Sequence, residues 1–144
     1  MIYTELTKKA IRLAFKAHEG VTGKDGLPYV THPLHVAERA ETEEETIVAL
    51  LHDVVEDSDY TLQDLQDMGF PETAIEALRL LTHDKEIPYL EYVAAVRENE
   101  LARKVKKLDM QHNMDVTKLD TVTEKDRARL EKYEKAYRLL TDEE

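Results

Sequence analysis

The 144 residues suffice for one domain with a substantial core and fall short of two ordinary ones, so a single domain over 1–144 is expected. A formal net charge of −11 with 35% charged residues excludes nucleic acid as a partner, because phosphate contact needs an electropositive face. The absence of cysteine excludes disulfides and thiolate catalysis, and no stretch approaches ~18 uninterrupted apolar residues, so neither export nor a membrane is indicated and a cytoplasmic location is expected.

Helix signals run the length of the chain. With only four glycines and four prolines, both residue types sit at boundaries, as helix punctuation does. Residues 4–19 carry Leu6, Ala10, Leu13, Ala14 and Ala17 at helical spacing, closed by Gly20. "GVTGKDGLPYVTHP" at 20–33 reads as the one long loop, and long loops in compact domains are often functional. A short helix is predicted from Pro33, a favourable first position, to about Ala40. Thr42 followed by Glu45 reads as a capping box opening a helix that continues through "TIVALLHDVVED" at 46–57. Further helices are predicted over 61–68, closed by Gly69, over 71–82 and 88–98, each opened by proline, and over about 100–115. Thr123 with Asp126 caps a last helix to about Leu140. This makes about eight helices and no alternating strand pattern, hence an all-α bundle.

The segment "HDVVED" at 52–57 places three carboxylates and an imidazole at the end of a helix least favourable to negative charge. At 100° per residue, with His52 at zero, Glu56 falls at about 40°, Asp53 at about 100° and Asp57 at about 140°. All four therefore share one face opposite a wide apolar one. A solvated outer face is the ordinary reading of such a pattern. Here it carries penalties, about 0.2–0.5 kcal/mol for like charges four apart and about 0.3–1 kcal/mol against the macrodipole. A bound cation reverses both, and an imidazole beside carboxylates suits a divalent metal.

Further ligands must come from elsewhere. His32 in "YVTHPL" precedes a proline, which restricts its backbone to extended conformations. Alone it is a loop or cap residue. Asp109 in "KVKKLDMQHNMD" follows an inward row of Leu101, Val105 and Leu108, which sets it at the edge of the core with Asn113 one turn along. Alone it is a boundary aspartate.

Together, His32, His52–Asp53 and Asp109 resemble the H…HD…D signature of the HD superfamily of metal-dependent phosphohydrolases. "GKDGLPYVTHPLHVAE", "TIVALLHDVVEDSDYT" and "ARKVKKLDMQHNMD" are similar to successive motifs of the hydrolase domain of RelA/SpoT enzymes and of the stand-alone small alarmone hydrolases, from about Ala10 to Asp115. The resemblance implies one divalent ion, typically manganese, held by His32, His52, Asp53 and Asp109. It implies that Glu56 and Asp57 position or deprotonate the attacking water, and that Lys24, Tyr29 and Asn113 border a nucleotide. Lys106, about 60° from Asp109 around its helix, either reaches a phosphate or is an ordinary solvated lysine. The implied reaction removes the 3′-pyrophosphate of guanosine tetraphosphate, giving GDP and pyrophosphate.

The chain departs from the pattern at Gly23, where alarmone hydrolases carry an arginine that stacks on the guanine base, and after Asn113, where "MDVTKL" lacks the usual Met-Arg-Thr continuation. Another nucleotide or phosphate ester as substrate therefore stays open, as does a non-catalytic nucleotide-binding module. The charged final helix leaves no synthetase domain in view. His18 is read as a structural hydrogen-bonding residue, His35 and His83 as surface or cap residues, His112 as packing or hydrogen-bonding within its helix, and Tyr133 and Tyr137 as core or edge packing.

Overall fold

The structure is a computed structural model that describes residues 1–141. Its helices are α1 (Glu5–Ala17), α2 (Thr31–Glu38), α3 (Glu43–Leu51), α4 (Val54–Asp57), α5 (Leu62–Asp67), α6 (Glu72–Leu81), α7 (Tyr89–Arg97), α8 (Glu100–Asn113) and α9 (Glu124–Thr141). A 3-10 turn spans Val116–Lys118. Among the described residues the only extended pairing is an isolated bridge between Thr22 and Pro28, so the all-α expectation holds.

The caps explain most boundaries. Thr4 with Thr7 and Thr61 with Asp64 form reciprocal boxes that satisfy backbone donors at the starts of α1 and α5. Thr123 and Asp126 do the same for α9. The box expected at Thr42 is only half made: its hydroxyl accepts from the Glu45 N–H at 3.1 Å, while the Glu45 carboxylate accepts from the Glu41 N–H and pairs with Lys104. Gly69 follows α5 at φ +94°, a left-handed conformation that glycine adopts without a Cβ clash.

Two boundaries differ from expectation. Helix α2 begins at Thr31, not Pro33, so His32 lies in its first turn and not on an extended loop. In a first turn the proline's missing N–H costs nothing, and this outweighs the preference of a residue before proline for extended backbone. The predicted helix through 52–57 breaks into two, because the chain turns at His52 and Asp53, the latter at φ −106°, ψ −3°. The single-helix wheel over "HDVVED" therefore does not apply. The amphipathic expectation for the preceding run fails too: Glu45 through His52 are all buried, and α3 packs against α1, α2, α6 and α8. A helix apolar all round is a core helix, and this one carries His52 into the interior.

Helix α8 crosses the end of α3 with Ala102, Val105, Asp109, Met110 and His112 buried. Leu101 and Leu108 are only partly buried, so Asp109 belongs to the inward row and not to its edge. Leu50 is fully buried in α3, whereas Leu90 is 51% exposed. Leu50→Ala should therefore lower unfolding free energy by about 2–5 kcal/mol, and Leu90→Ala by about 0.5 kcal/mol or less, as measured by urea denaturation.

Candidate metal centre

Three elements deliver the predicted ligands to one point. The first turn of α2 supplies His32, the joint between α3 and α4 supplies His52 and Asp53, and the inward row of α8 supplies Asp109. His32 Nε2 lies 2.7 Å from Asp109 Oδ1. His52 Nε2 lies 3.3 Å from the same oxygen and 3.1 Å from Asp53 Oδ2. Ligating atoms of His32, His52 and Asp109 all fall within 4.8 Å of one another, and Asp53 joins them through His52.

The tautomer of His52 shows what this cluster suits. Its Nδ1 lies 2.6 Å from the Ala49 carbonyl, which can only accept, so Nδ1 carries the proton. Nε2 then presents a lone pair. That nitrogen is buried without a hydrogen bond, aimed between two carboxylates. Only a positive charge satisfies that arrangement, and an imidazole fixed through its far nitrogen is the usual metal-binding geometry. The residues fit a divalent ion. Two imidazoles and two carboxylates accept Mn, Fe, Co, Ni or Zn with only a soft preference among them.

The electrostatics agree. Burial alone would raise the Asp53 carboxyl, but the neighbouring His52 imidazole outweighs it and holds the group at about 2. Burial likewise opposes ionisation of Asp109, and Lys106 and His52 overcome it, leaving the carboxyl well below its usual range. For His52, burial disfavours charge, yet Asp53 and Asp109 push its pKa well up. The two carboxylates thus stabilise positive charge at Nε2, whether a proton or a metal brings it.

The four residues expected to border a nucleotide, Lys24, Tyr29, Lys106 and Asn113, all line a cleft of about 420 Å³ beside His32, Asp53, Glu56 and Asp109. Three of them also grip the centre. The Tyr29 hydroxyl donates to Asp53 Oδ2, Lys106 Nζ donates to Asp109 Oδ2 at 3.0 Å, and Asn113 Nδ2 donates to Asp109 Oδ1 at 3.1 Å. Lys106 is no solvated lysine: its side chain is 14% exposed and its ammonium lies 5.3 Å from the centroid of the Tyr92 ring. Glu56 lines the cleft and accepts from the His83 backbone N–H at 2.5 Å. Asp57 is exposed and does not line the cleft. Partial burial there, with Asp53 and Glu56 alongside, pushes its carboxyl up to about 6.

Several side chains behave differently from their sequence readings. His112 does not bond within its helix: its Nδ1 lies 2.7 Å from Nδ1 of His32. His18 is buried with neither ring nitrogen hydrogen-bonded, its ring edge-on to Tyr29. The reason is that α1 packs it against a ring already committed to Asp53. His83 does more than cap, since it fixes Glu56 through its backbone while its ring stacks on Tyr92. Tyr137 packs as expected, its hydroxyl accepting from Gln111, but Tyr133 lines the cleft together with Lys118 and Arg129. The spacing of Arg129 and Tyr133, one turn apart on α9, is the signal that would have found them.

An all-helical bundle that gathers His32, His52, Asp53 and Asp109 at the foot of a cleft defines an HD-type hydrolase fold. Known proteins agree, although no family model matches the chain. The bifunctional (p)ppGpp synthase/hydrolase SpoT of Escherichia coli K12 is 43% identical over 65 residues, 42% of this chain and 9% of SpoT. The guanosine-3′,5′-bis(diphosphate) 3′-pyrophosphohydrolase MESH1 of Danio rerio is 35% identical over 96 residues, 61% of this chain. The chain spans 9% of the SpoT protein and about half, 53%, of MESH1. A solved structure described as a metazoan ortholog of SpoT that hydrolyzes ppGpp superposes with a TM-score of 0.79 at 24% identity, covering 98% of this chain and 88% of the other. Over part of its length the chain is thus similar in sequence to the (p)ppGpp hydrolases SpoT and MESH1, and it shares the fold of the metazoan SpoT ortholog. No helix among the described residues is long and apolar enough to cross a membrane.

A ligand at a hundredfold excess over its Kd stabilises the native state by about 2.7 kcal/mol. Mn²⁺ or Zn²⁺ should accordingly raise the melting temperature by about 5–10 °C, EDTA should reverse the rise, and Asp109→Asn should remove it. Thermal scans that never move with any divalent ion would sink the assignment.

Proposed function

We propose that the chain is a manganese-dependent hydrolase that removes the 3′-pyrophosphate of guanosine-3′,5′-bis(diphosphate), leaving GDP and pyrophosphate. The observation that carries this reading is the convergence of His32, His52 and Asp109 within 4.8 Å, with Asp53 beside them, at the foot of a cleft that also presents lysines. The sequence and fold likeness to the (p)ppGpp hydrolases supports it. A cytoplasmic location fits a nucleotide substrate.

In this reading His32, His52, Asp53 and Asp109 hold the ion, which when bound supplies Lewis acidity toward a phosphoryl oxygen and toward a water. Glu56, held by the His83 N–H, orients the water that attacks the phosphorus joined to the ribose 3′ oxygen. Asp57, whose carboxyl titrates at about 6, takes up the proton from that side. The bond between phosphorus and the 3′ oxygen breaks, and the oxygen leaves with a proton from solvent. Lys24 and Lys106 lie where they offset phosphate charge, Lys106 while steadying Asp109. Tyr29 and Asn113 border the nucleotide while orienting Asp53 and Asp109.

One observation favours a second reading, in which the same chemistry acts on another nucleotide or phosphate ester. No side chain projects at Gly23, and a Cβ built there would meet Asp25 Oδ1 at 2.9 Å, so residue 23 cannot provide a stacking group without moving Asp25.

The deciding experiment incubates the purified chain and Mn²⁺ with guanosine tetraphosphate and with a panel of other nucleotides and phosphate esters, resolving pyrophosphate from orthophosphate. Pyrophosphate from guanosine tetraphosphate is the expected outcome; no turnover with any divalent ion refutes the first reading, and preference for another compound selects the second. Glu56→Gln should lower kcat by roughly 10²–10⁴-fold. Because Asp57 must be ionised to accept a proton, the wild-type rate should rise with pH through about 6. Asp57→Asn should abolish that limb of the kcat profile.

A further inference from the structure

We propose that His112 is a positioning residue that aims His32 at the cation by accepting the proton on His32 Nδ1. The proposal rests on the metal-binding part of the reading above and is independent of which substrate is cleaved.

Two Nδ1 atoms 2.7 Å apart must share one proton, since two lone pairs at that distance repel. The other nitrogen of His32 faces the centre, 2.7 Å from Asp109 Oδ1. For Nε2 to give its lone pair to an ion, the proton of the neutral ring must sit on Nδ1. His112 must then be the acceptor, with its own proton on Nε2. With an ion in place of the proton that Nε2 otherwise gives Asp109, the hydrogen bond would hold His32 in its ligating tautomer and fix its ring, the two rings being only 11° from coplanar.

The surroundings are built for this. His112 is 9% exposed and stands one turn beyond Asp109 on α8, so one helix face supplies both a ligand and the acceptor for its neighbour. On the facing helix His35 stands one turn beyond His32, and its ring stacks on His112 at 4.0 Å with 19° between planes. His112, on α8, thus packs against two rings of α2, those of His32 and His35. The other ligating imidazole is oriented by a backbone acceptor, the Ala49 carbonyl, which no side-chain substitution removes. For His32 the acceptor is a side chain, so its role can be tested.

The test uses full-length wild type, His112→Asn and His112→Leu. Asparagine can place an amide oxygen where Nδ1 stood; leucine keeps bulk and removes the acceptor. Calorimetric titration with Mn²⁺ should show affinity weakened about 10–100-fold in H112L and restored to near wild type in H112N. In Zn²⁺-loaded wild type, ¹⁵N-histidine spectra should show His32 protonated at Nδ1 and His112 at Nε2. Wild-type affinity in H112L, or a proton on His112 Nδ1 in the Zn²⁺ form, overturns the proposal, and the spectra decide the matter even where H112L does not fold. Wild type that binds neither ion defeats this proposal and the metal centre together. Wild type that binds ions and cleaves no nucleotide defeats only the assigned reaction.

Discussion

A carboxylate buried in an apolar bundle is the constraint around which this protein is organised. Asp109 is 4% exposed, and a buried charge costs several kcal/mol unless it is paired and hydrogen-bonded. Here four groups converge on it: Lys106 and Asn113 from its own helix, His32 from α2 and His52 from the end of α3. Removing Lys106 leaves the carboxylate without its counter-charge, and removing any of the others takes away one of its polar partners, so the centre specifies how three helices approach one another. Lys106 shows the dependence in reverse. It lies largely buried only because Asp109 and the ring of Tyr92 replace its hydration.

The scaffold's contribution follows from α3. Because "TIVALL" is apolar on every side, the helix can be surrounded by α1, α2, α6 and α8, and its last residue before the turn arrives in the interior as a rigid point. The break at His52–Asp53 then matters chemically. In a continuous helix Asp53 would stand about 100° from His52; with the chain turning there, its carboxylate comes back to 3.1 Å from the imidazole, and the Tyr29 hydroxyl holds it. Glu56 is carried on the short α4 to the cleft and fixed by the backbone of His83, so it does not depend on a long flexible arm.

Local chemistry was legible in the sequence and convergence was not. The cap at Thr123 could be read because it is a contact between residues three apart, and the residues His32, His52, Asp53 and Asp109 could be picked out from their motifs. The break after Leu51 carries no glycine or proline, so nothing local announces it; tertiary packing of Val54 and the pull of Asp53 into the centre decide it. His32 illustrates the converse error, a correct local rule about residues before proline overruled by the helix that forms around it. His112 and His83 were given bland readings because their partners lie far away in the chain, His32 at a separation of 80 and Glu56 at 27, and no periodicity encodes such pairs.

The charge balance of the cleft ties its parts together. Lys24, Lys106, Lys118 and Arg129 face six carboxylates, those of Asp25, Asp53, Glu56, Asp109, Asp115 and Asp126, in its lining, a formal excess of −2 on a protein already at −11. Arg129 is further committed to Asp126 and Lys106 to Asp109. Such a surface repels a nucleotide bearing several phosphates. A divalent ion held at the His/Asp centre would bring the lining to formal neutrality. Under the proposed function, substrate affinity and ion affinity would be linked by the same carboxylates, each strengthening the other. On that reading, the acidic residues that make the bare cleft inhospitable to phosphate would favour phosphate binding in the ion-loaded form.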